Sequence, residues 1–250
     1  MFELTISDID MLKNSVGIAA EIIDEGIFRI SKNGLRFVAA DRALVAVVDL
    51  KIGAAAFEKL EVTEDASVGV NMNNFVSVLR RAGTGDRITL KKEDNRNRLK
   101  VLITGSSTRR FEVPVLDMAE SELPPTDKLE FSSSVELKSD VLAQGIADAE
   151  IVSDVVIFEA SADGFKIKSE GDSNTTELEL EKGNSMITKL EATAAVKSGY
   201  PLDYLKKIVK ASKLADTANI RFSSEFPMKM EFYNGDKFSM SFVLAPHMIE

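Results

Sequence analysis

The sequence of 250 residues contains no cysteine. Disulfides, thiolate metal sites and cysteine nucleophiles are therefore excluded, and the composition fits a reducing cytosol. There is one histidine, His247, near the end of the sequence. A single histidine leaves no Ser-His-Asp set and no histidine-based metal spacing, and no glycine-rich phosphate loop is present. No apolar run approaches the ~18–20 residues that span a bilayer. The opening MFELTISDIDM has neither a basic n-region nor a long apolar stretch, so no secretory signal is expected. Positive charge is also short: 31 Lys and Arg stand against 40 Asp and Glu, for a formal net charge of −9. Such a chain is poorly suited to binding nucleic acid through its whole surface, so a nucleic-acid-facing role requires a local basic face.

What is present is core material and repetition. Hydrophobic residues make up 44% of the sequence, adequate for a soluble globular protein of one large or two ordinary domains. The stretch IFRISKNGLRF from Ile27 reads as a hairpin, and IFEASADGF from Ile157 has the same shape. Ile27, Phe28 and Gly34 answer to Ile157, Phe158 and Gly164. FVSVLRRA from Phe75 answers to YLKKIVKA from Tyr204, and VLD from Val115 to VLA from Val243. Three matches in one order predict a duplicated domain: residues 1–116, a connector at 117–129, and residues 130–250. The connector is acidic and contains Pro124–Pro125, which favours an extended path.

Period-2 and period-3.6 patterns give the same order of elements twice. Strands are expected at 2–6, 26–31, 35–40, 44–50, 67–70, 87–92, 98–104 and 108–115. Ser7 is read as the cap of a first helix with Ile9, Leu12, Val16, Ala19 and Ile23 on its apolar stripe, and a second helix covers 72–82. The second half is expected to place strands at 130–137, 155–161, 165–169, 175–181, 190–197, 218–223, 228–232 and 238–244. Its helices start after Ser139 and at Pro201, the latter running to about residue 214.

Catalytic candidates are few. Asp8 and Asp10 sit at a helix start, where they favour the positive end of its dipole. Asp148, Glu150 and Asp154 read as a solvated acidic edge. The helices carry the better signal. Lys206, Lys207, Lys210 and Lys213 recur at i, i+1, i+4 and i+7, opposite Leu202, Leu205, Ile208 and Val209. Arg80 and Arg81 end the second helix, and Lys13 lies on the first. Without a groove-reading motif such residues contact phosphates, giving position without sequence preference. Each helix taken alone also reads as a solvated face.

The two-domain repeat, ADRALVAVVDL at residues 40–50, the acidic connector, the YPLDYLKKIVKA helix and the LAP at 244–246 resemble the sliding clamps of the proliferating cell nuclear antigen family, archaeal type. The resemblance covers essentially the whole length. It implies an α+β fold of two similar DNA-clamp domains per chain, with strands forming an outer layer and four helices facing the hole of a trimeric ring. It implies a non-catalytic processivity factor that encircles duplex DNA and tethers DNA polymerase, clamp loader, flap endonuclease and ligase through a short peptide motif. No cofactor, metal or membrane is implied, and the location is cytoplasmic, or nuclear for a eukaryotic source. Lys13, Arg80, Arg81, Lys206, Lys207, Lys210 and Lys213 become the DNA-facing candidates. The third helix departs from a uniform positive lining, since it presents Asp140, Gln144 and Asp148, with Lys138 at its start as its one basic residue.

Ring closure in the family pairs the last strand of the first domain with a second-domain strand of the next subunit. The matching segments here are STRRFEVPV from Ser107 and TTELELEK from Thr175. The resemblance thus puts Arg109, Arg110, Glu177, Leu178, Glu179 and Glu181 at the subunit interface. The alternative is that both strands are charged outer faces. The partner-peptide pocket is matched by Ala40, Leu44, Val45, Val47, Leu123, Pro125, Pro227, Ala245 and Pro246. Small apolar residues suit a pocket that receives bulky anchors. Other classes stay open at the level of sequence: a subunit of a heterotrimeric or checkpoint-type clamp, a carboxylate-metal enzyme with a duplicated fold, and a small-ligand-binding protein.

Overall fold

Residues 2–6 bury every second side chain, the pattern of a strand with one covered face. Repeated through the chain, that pattern builds the sheets of the computed structural model, which describes residues 1–92, 97–119, 123 and 126–248. The first repeat contains β1 (Phe2–Ile6), β2 (Glu25–Ser31), β3 (Gly34–Ala40), β4 (Ala46–Gly53), β5 (Lys59–Val62), β6 (Ala66–Asn71), β7 (Arg87–Lys92), β8 (Arg98–Thr104) and β9 (Thr108–Pro114). Its helices are α1 (Ile9–Ala20) and α2 (Met72–Leu79). The second repeat contains β10 (Ser133–Lys138), β11 (Val155–Ala160), β12 (Gly164–Glu170), β13 (Thr175–Glu181), β14 (Ile187–Ala192), β15 (Val196–Pro201), β16 (Thr217–Phe222), β17 (Met228–Asn234) and β18 (Phe238–Leu244), with helices α3 (Ser139–Ala149) and α4 (Leu202–Ile208).

The elements α1, β2, β3, β6, α2, β7, β8 and β9 each begin 130 residues before α3, β11, β12, β15, α4, β16, β17 and β18. This constant offset corrects two of the sequence matches. Phe75 answers to Leu205 and not Tyr204, and both Phe75 and Leu205 are buried. Val243 answers to Val113, not Val115. Strand order repeats as well. The runs β5-β1-β7-β8-β9 and β6-β2-β3-β4 of the first repeat match β14-β10-β16-β17-β18 and β15-β11-β12-β13 of the second.

The chain divides into two compact units. One comprises Met1–Arg42, Val48–Leu123 and Asn234–Met240; the other comprises Ala43–Val47, Pro124–Tyr233 and Ser241–Glu250. Within the first unit Phe28 packs against Phe37 and Phe75, with ring centroids 4.7 and 5.5 Å away. Within the second, Phe158 lies 5.9 Å from Phe165, 5.8 Å from Tyr200 and 6.2 Å from Phe222. Tyr200 is fully buried and satisfies its hydroxyl by donating to the Phe226 carbonyl at 2.7 Å. Burial pushes its phenol pKa up.

The opening hairpin turns between Ser31 and Gly34, which pair across β2 and β3. Gly34 has φ +119° and its missing Cβ would lie 2.1 Å from the Ile52 carbonyl oxygen, so conformation and space both require glycine. Each repeat ends on the same device. The Leu116 N–H donates to the Gly69 carbonyl, and the His247 N–H to the Gly199 carbonyl, both at 2.8 Å. These bridges partner the outer edges of β6 and β15. The histidine therefore serves through its backbone, while its ring stays exposed.

Several local expectations change. The second helix, expected over 72–82, ends at Leu79, so Arg80 and Arg81 follow the helix instead of forming its last turn. The α1 cap is Asp8 instead of Ser7, because the carboxylate of Asp8 is the one placed to accept the Met11 N–H, at 3.1 Å. Strand β5 has four residues, too few to show a period, and exists because β1 pairs with it. The single strand expected at 190–197 is two, β14 and β15, in different sheets; their turn at 193–195 lacks glycine, proline, asparagine and aspartate. The fourth helix is α-helical only to Ile208 and continues as a 3-10 turn over Val209–Lys213.

Candidate nucleic-acid interface

In the first unit α1 and α2 pack side by side. α2 starts on Asn71, whose side-chain oxygen accepts the Asn74 N–H at 3.0 Å, and it buries Met72, Phe75, Val76 and Leu79. It stops at Leu79, leaving Arg80 and Arg81 exposed just beyond. The helix carbonyls of Val76, Val78 and Leu79 accept the N–H groups of Arg80, Arg81 and Ala82, and cations meet the carbonyls just past that end, where the helix dipole is negative. Lys13 of α1 donates from Nζ to the Ala82 carbonyl at 3.0 Å. Arg109 of β9 donates from Nη1 to the Arg81 carbonyl at 2.7 Å and from Nη2 to Asp86 Oδ2 at 2.5 Å. Asp86 Oδ2 also accepts the Gly83 N–H at 2.9 Å.

The Asp86 carboxylate is only 14% exposed, so Arg109 is its main neutralising partner. Arg109→Ala leaves that carboxylate and a carbonyl without their charged donor. The expected cost is about 1–3 kcal/mol of unfolding free energy, with Arg109→Lys recovering part of it because lysine lacks the planar fork. Urea unfolding midpoints measure this, and a loss below ~0.5 kcal/mol contradicts the assignment.

In the second unit α3 packs against α4 and its 3-10 extension. Leu202, Leu205, Ile208 and Ala211 are buried. Lys206 forms an ion pair with Glu150, which follows the last residue of α3. Lys207 lies over the Tyr204 ring, 5.3 Å from its centroid. Lys210 and Lys213 are exposed on the 3-10 turn. At three residues per turn they line up along the axis, about 6 Å apart, instead of drifting around it as in an α-helix. Asp140, Gln144 and Asp148 of α3 are exposed, as the sequence pattern predicts.

The seven basic candidates thus separate into two groups. Arg80, Arg81, Lys210 and Lys213 are exposed. Lys13, Lys206 and Lys207 are half-buried, each with its ammonium engaged inside its own unit. The acidic candidates separate too: Asp8 caps α1, and Asp10 pairs with Lys13 at 3.5 Å.

The two candidate interface strands are edges of their runs: β9 ends one, and β13 ends another. On β13, Glu177, Glu179 and Glu181 are exposed, Leu178 is half-buried and Leu180 is buried. Lys166 on the neighbouring β12 pairs with Glu179 at 2.6 Å and Glu177 at 3.3 Å; Lys168 pairs with Glu177 and Glu159 at 3.0 Å each. Glu179 chiefly holds the Lys166 ammonium pKa up, Glu177 does so for Lys168, and Lys168 holds the Glu177 carboxyl down. Arg110 on β9 is exposed, whereas Arg109 is bound to Asp86.

Of the candidate pocket residues, the structure brings Val45 and Ala245 together: the Ala245 N–H donates to the Val45 carbonyl at 2.8 Å. Leu44 is 66% exposed in a left-handed turn with φ 57°, and Val47 is buried. Ala40, Leu123, Pro227 and Pro246 are half-buried, and Pro125 lies outside the described residues. Sequence reading missed Asp86 as the partner of Arg109 and Glu150 as the partner of Lys206. These pairs are separated by 23 and 56 positions, and no local pattern marks either.

Known proteins resemble this chain over its whole length. The model of the proliferating cell nuclear antigen N-terminal domain matches residues 1–123, and that of the C-terminal domain matches residues 126–247. Proteins named DNA polymerase sliding clamp from Thermococcus gammatolerans and Pyrococcus furiosus are each 33% identical over 249 residues, covering 100% of this chain and 99% of theirs. A crystal structure of PCNA from Thermococcus kodakaraensis superposes with a TM-score of 0.90 at 25% identity, covering 99% of this chain and 100% of the other. With both halves matched in order and the same fold throughout, the chain belongs to the proliferating cell nuclear antigen family.

Proposed function

We propose that this chain is a subunit of a DNA polymerase sliding clamp. The observation that carries the reading is the end-to-end match to relatives of that name, together with a doubled unit whose β9 and β13 are unpaired edges among the described residues. Three copies join edge to edge, β9 of one against β13 of the next, and enclose duplex DNA without reading its sequence. Pairing satisfies backbone groups that otherwise invite aggregation. Arg110 and Glu181 are the better-placed charges across that joint, because Arg109, Glu177 and Glu179 already have partners within the chain. Exposed pairs there add only ~0–1 kcal/mol each and set register more than affinity.

The partner-peptide site is assigned to Ala40, Leu44, Val45, Val47, Leu123, Pro125, Pro227, Ala245 and Pro246, where polymerase, clamp loader, flap endonuclease and ligase dock through a short motif. The domain limits are residues 1–116 and 130–250 with the connector between them, the role is non-catalytic, and the location is the cytoplasm. An enclosing ring needs little attraction, which accords with an acidic chain bearing a few exposed cations.

Loading onto nicked circular DNA, followed by linearisation with a restriction enzyme, tests enclosure. The protein is expected to stay on the circle through gel filtration and to leave the linear form. Equal retention on both overturns the reading.

A further inference from the structure

The lysines of α4 do not all present charge to an incoming phosphate. Lys206 in its last turn is 40% exposed and is ion-paired with Glu150, which is 51% exposed at the end of α3. Glu150, and behind it the charges of Asp203 and Asp154, hold the Lys206 ammonium pKa above its ordinary range. Lys207 is drawn over Tyr204. Elsewhere on α3 the carboxylates of Asp140 and Asp148 are also exposed. An exposed ion pair of this kind contributes only ~0–1 kcal/mol to stability, so folding gains little from it. Its effect on an approaching polyanion is larger in proportion. Lys206 must exchange one anionic partner for another, and Glu150 stays within a Debye length of about 8 Å.

We propose that Glu150 limits the protein's grip on duplex DNA by keeping Lys206 from phosphate. The inference rests on the reading that the helices face DNA. Within that reading Glu150 is a positioning residue, acting through Lys206 and not on the DNA itself. Weak attraction favours sliding, since each phosphate contact released in a step costs less to break.

The test uses the full chain and a fluorescein-labelled duplex of about 30 base pairs, with anisotropy followed from 50 to 200 mM salt. Glu150→Gln keeps the shape and removes the charge. It is expected to tighten binding roughly three- to tenfold at 50 mM and to steepen the log–log salt slope by about 0.9 per added phosphate contact. Lys206→Gln alone is expected to stay within about twofold of the parent, and the Glu150→Gln/Lys206→Gln double variant to lose the gain. The thermal midpoint should move by no more than about 2 °C in either single variant. If Glu150→Gln leaves affinity and slope unchanged while Arg80→Gln/Arg81→Gln lowers them, the restraint by Glu150 is wrong and the DNA-facing helices stand. If neither changes binding, the DNA-facing reading falls with it.

Discussion

Phe158→Ala is expected to cost about 3–5 kcal/mol of stability and to lower the thermal midpoint by roughly 10 °C. Phe158 has no exposed surface. It sits on β11, which β12 and β15 flank on either side. Its ring meets Phe165, Tyr200 and Phe222 at once, from β12, β15 and β16. Removing it deletes burial of a large apolar side chain and leaves a cavity among three rings that cannot all move inward together. Tyr200 adds to the cost, because its hydroxyl is tied to the Phe226 carbonyl and restrains the ring from following. Calorimetry or circular dichroism melting measures the effect. Phe158→Leu, which keeps more of the volume, should lose less than half as much. A loss under ~1 kcal/mol for the alanine variant contradicts this account of the core.

Replacing Arg80, Arg81, Lys210 and Lys213 together by glutamine is expected to weaken equilibrium binding to a short linear duplex by roughly a hundredfold at 50 mM salt. The log–log salt slope should fall by up to about 3.6 if all four meet phosphates. The choice follows from exposure alone: these four residues are exposed, while Lys13, Lys206 and Lys207 are half-buried. The same variant, once loaded on closed circular DNA, should remain there nearly as long as the parent, because enclosure does not depend on attraction. Affinity and retention are thus separable. An unchanged salt slope removes these residues from the DNA contact, and rapid loss from the circle shows that charge, not enclosure, holds the protein.

Much of this architecture is written in local patterns. The strands β13 and β18 occupy Thr175–Glu181 and Phe238–Leu244, the limits their alternation predicts. The hairpin written twice stands 130 residues apart in the folded chain, as the matched Ile-Phe and Gly positions require. Less legible were the places where a segment's neighbours decide its form. β5 is a strand because β1 lies beside it. α4 tightens into a 3-10 turn after Ile208, and matching the two helices by residue type pairs Phe75 with Tyr204, one position short of the 130-residue offset that joins it to Leu205. Pro124 and Pro125 of the connector, the second of them assigned to the peptide site, lie outside the described residues.

The sequence by itself determined that the chain is a doubled α+β unit, acidic overall, with cations collected on helices and the histidine and thiol chemistry of many enzymes absent. These properties follow from composition and from periods of 2 and 3.6, which say which side of an element is buried. Only the tertiary structure decided which cations are available. Lys13 is drawn to Ala82, Arg109 to Asp86 and Arg81, and Lys206 to Glu150, across separations of 69, 23, 28 and 56 residues. A periodic pattern carries no information about what an element meets at such distances. Whether a charge faces water or a partner is set by packing between elements, where a few ångströms separate an exposed lysine from a helix cap.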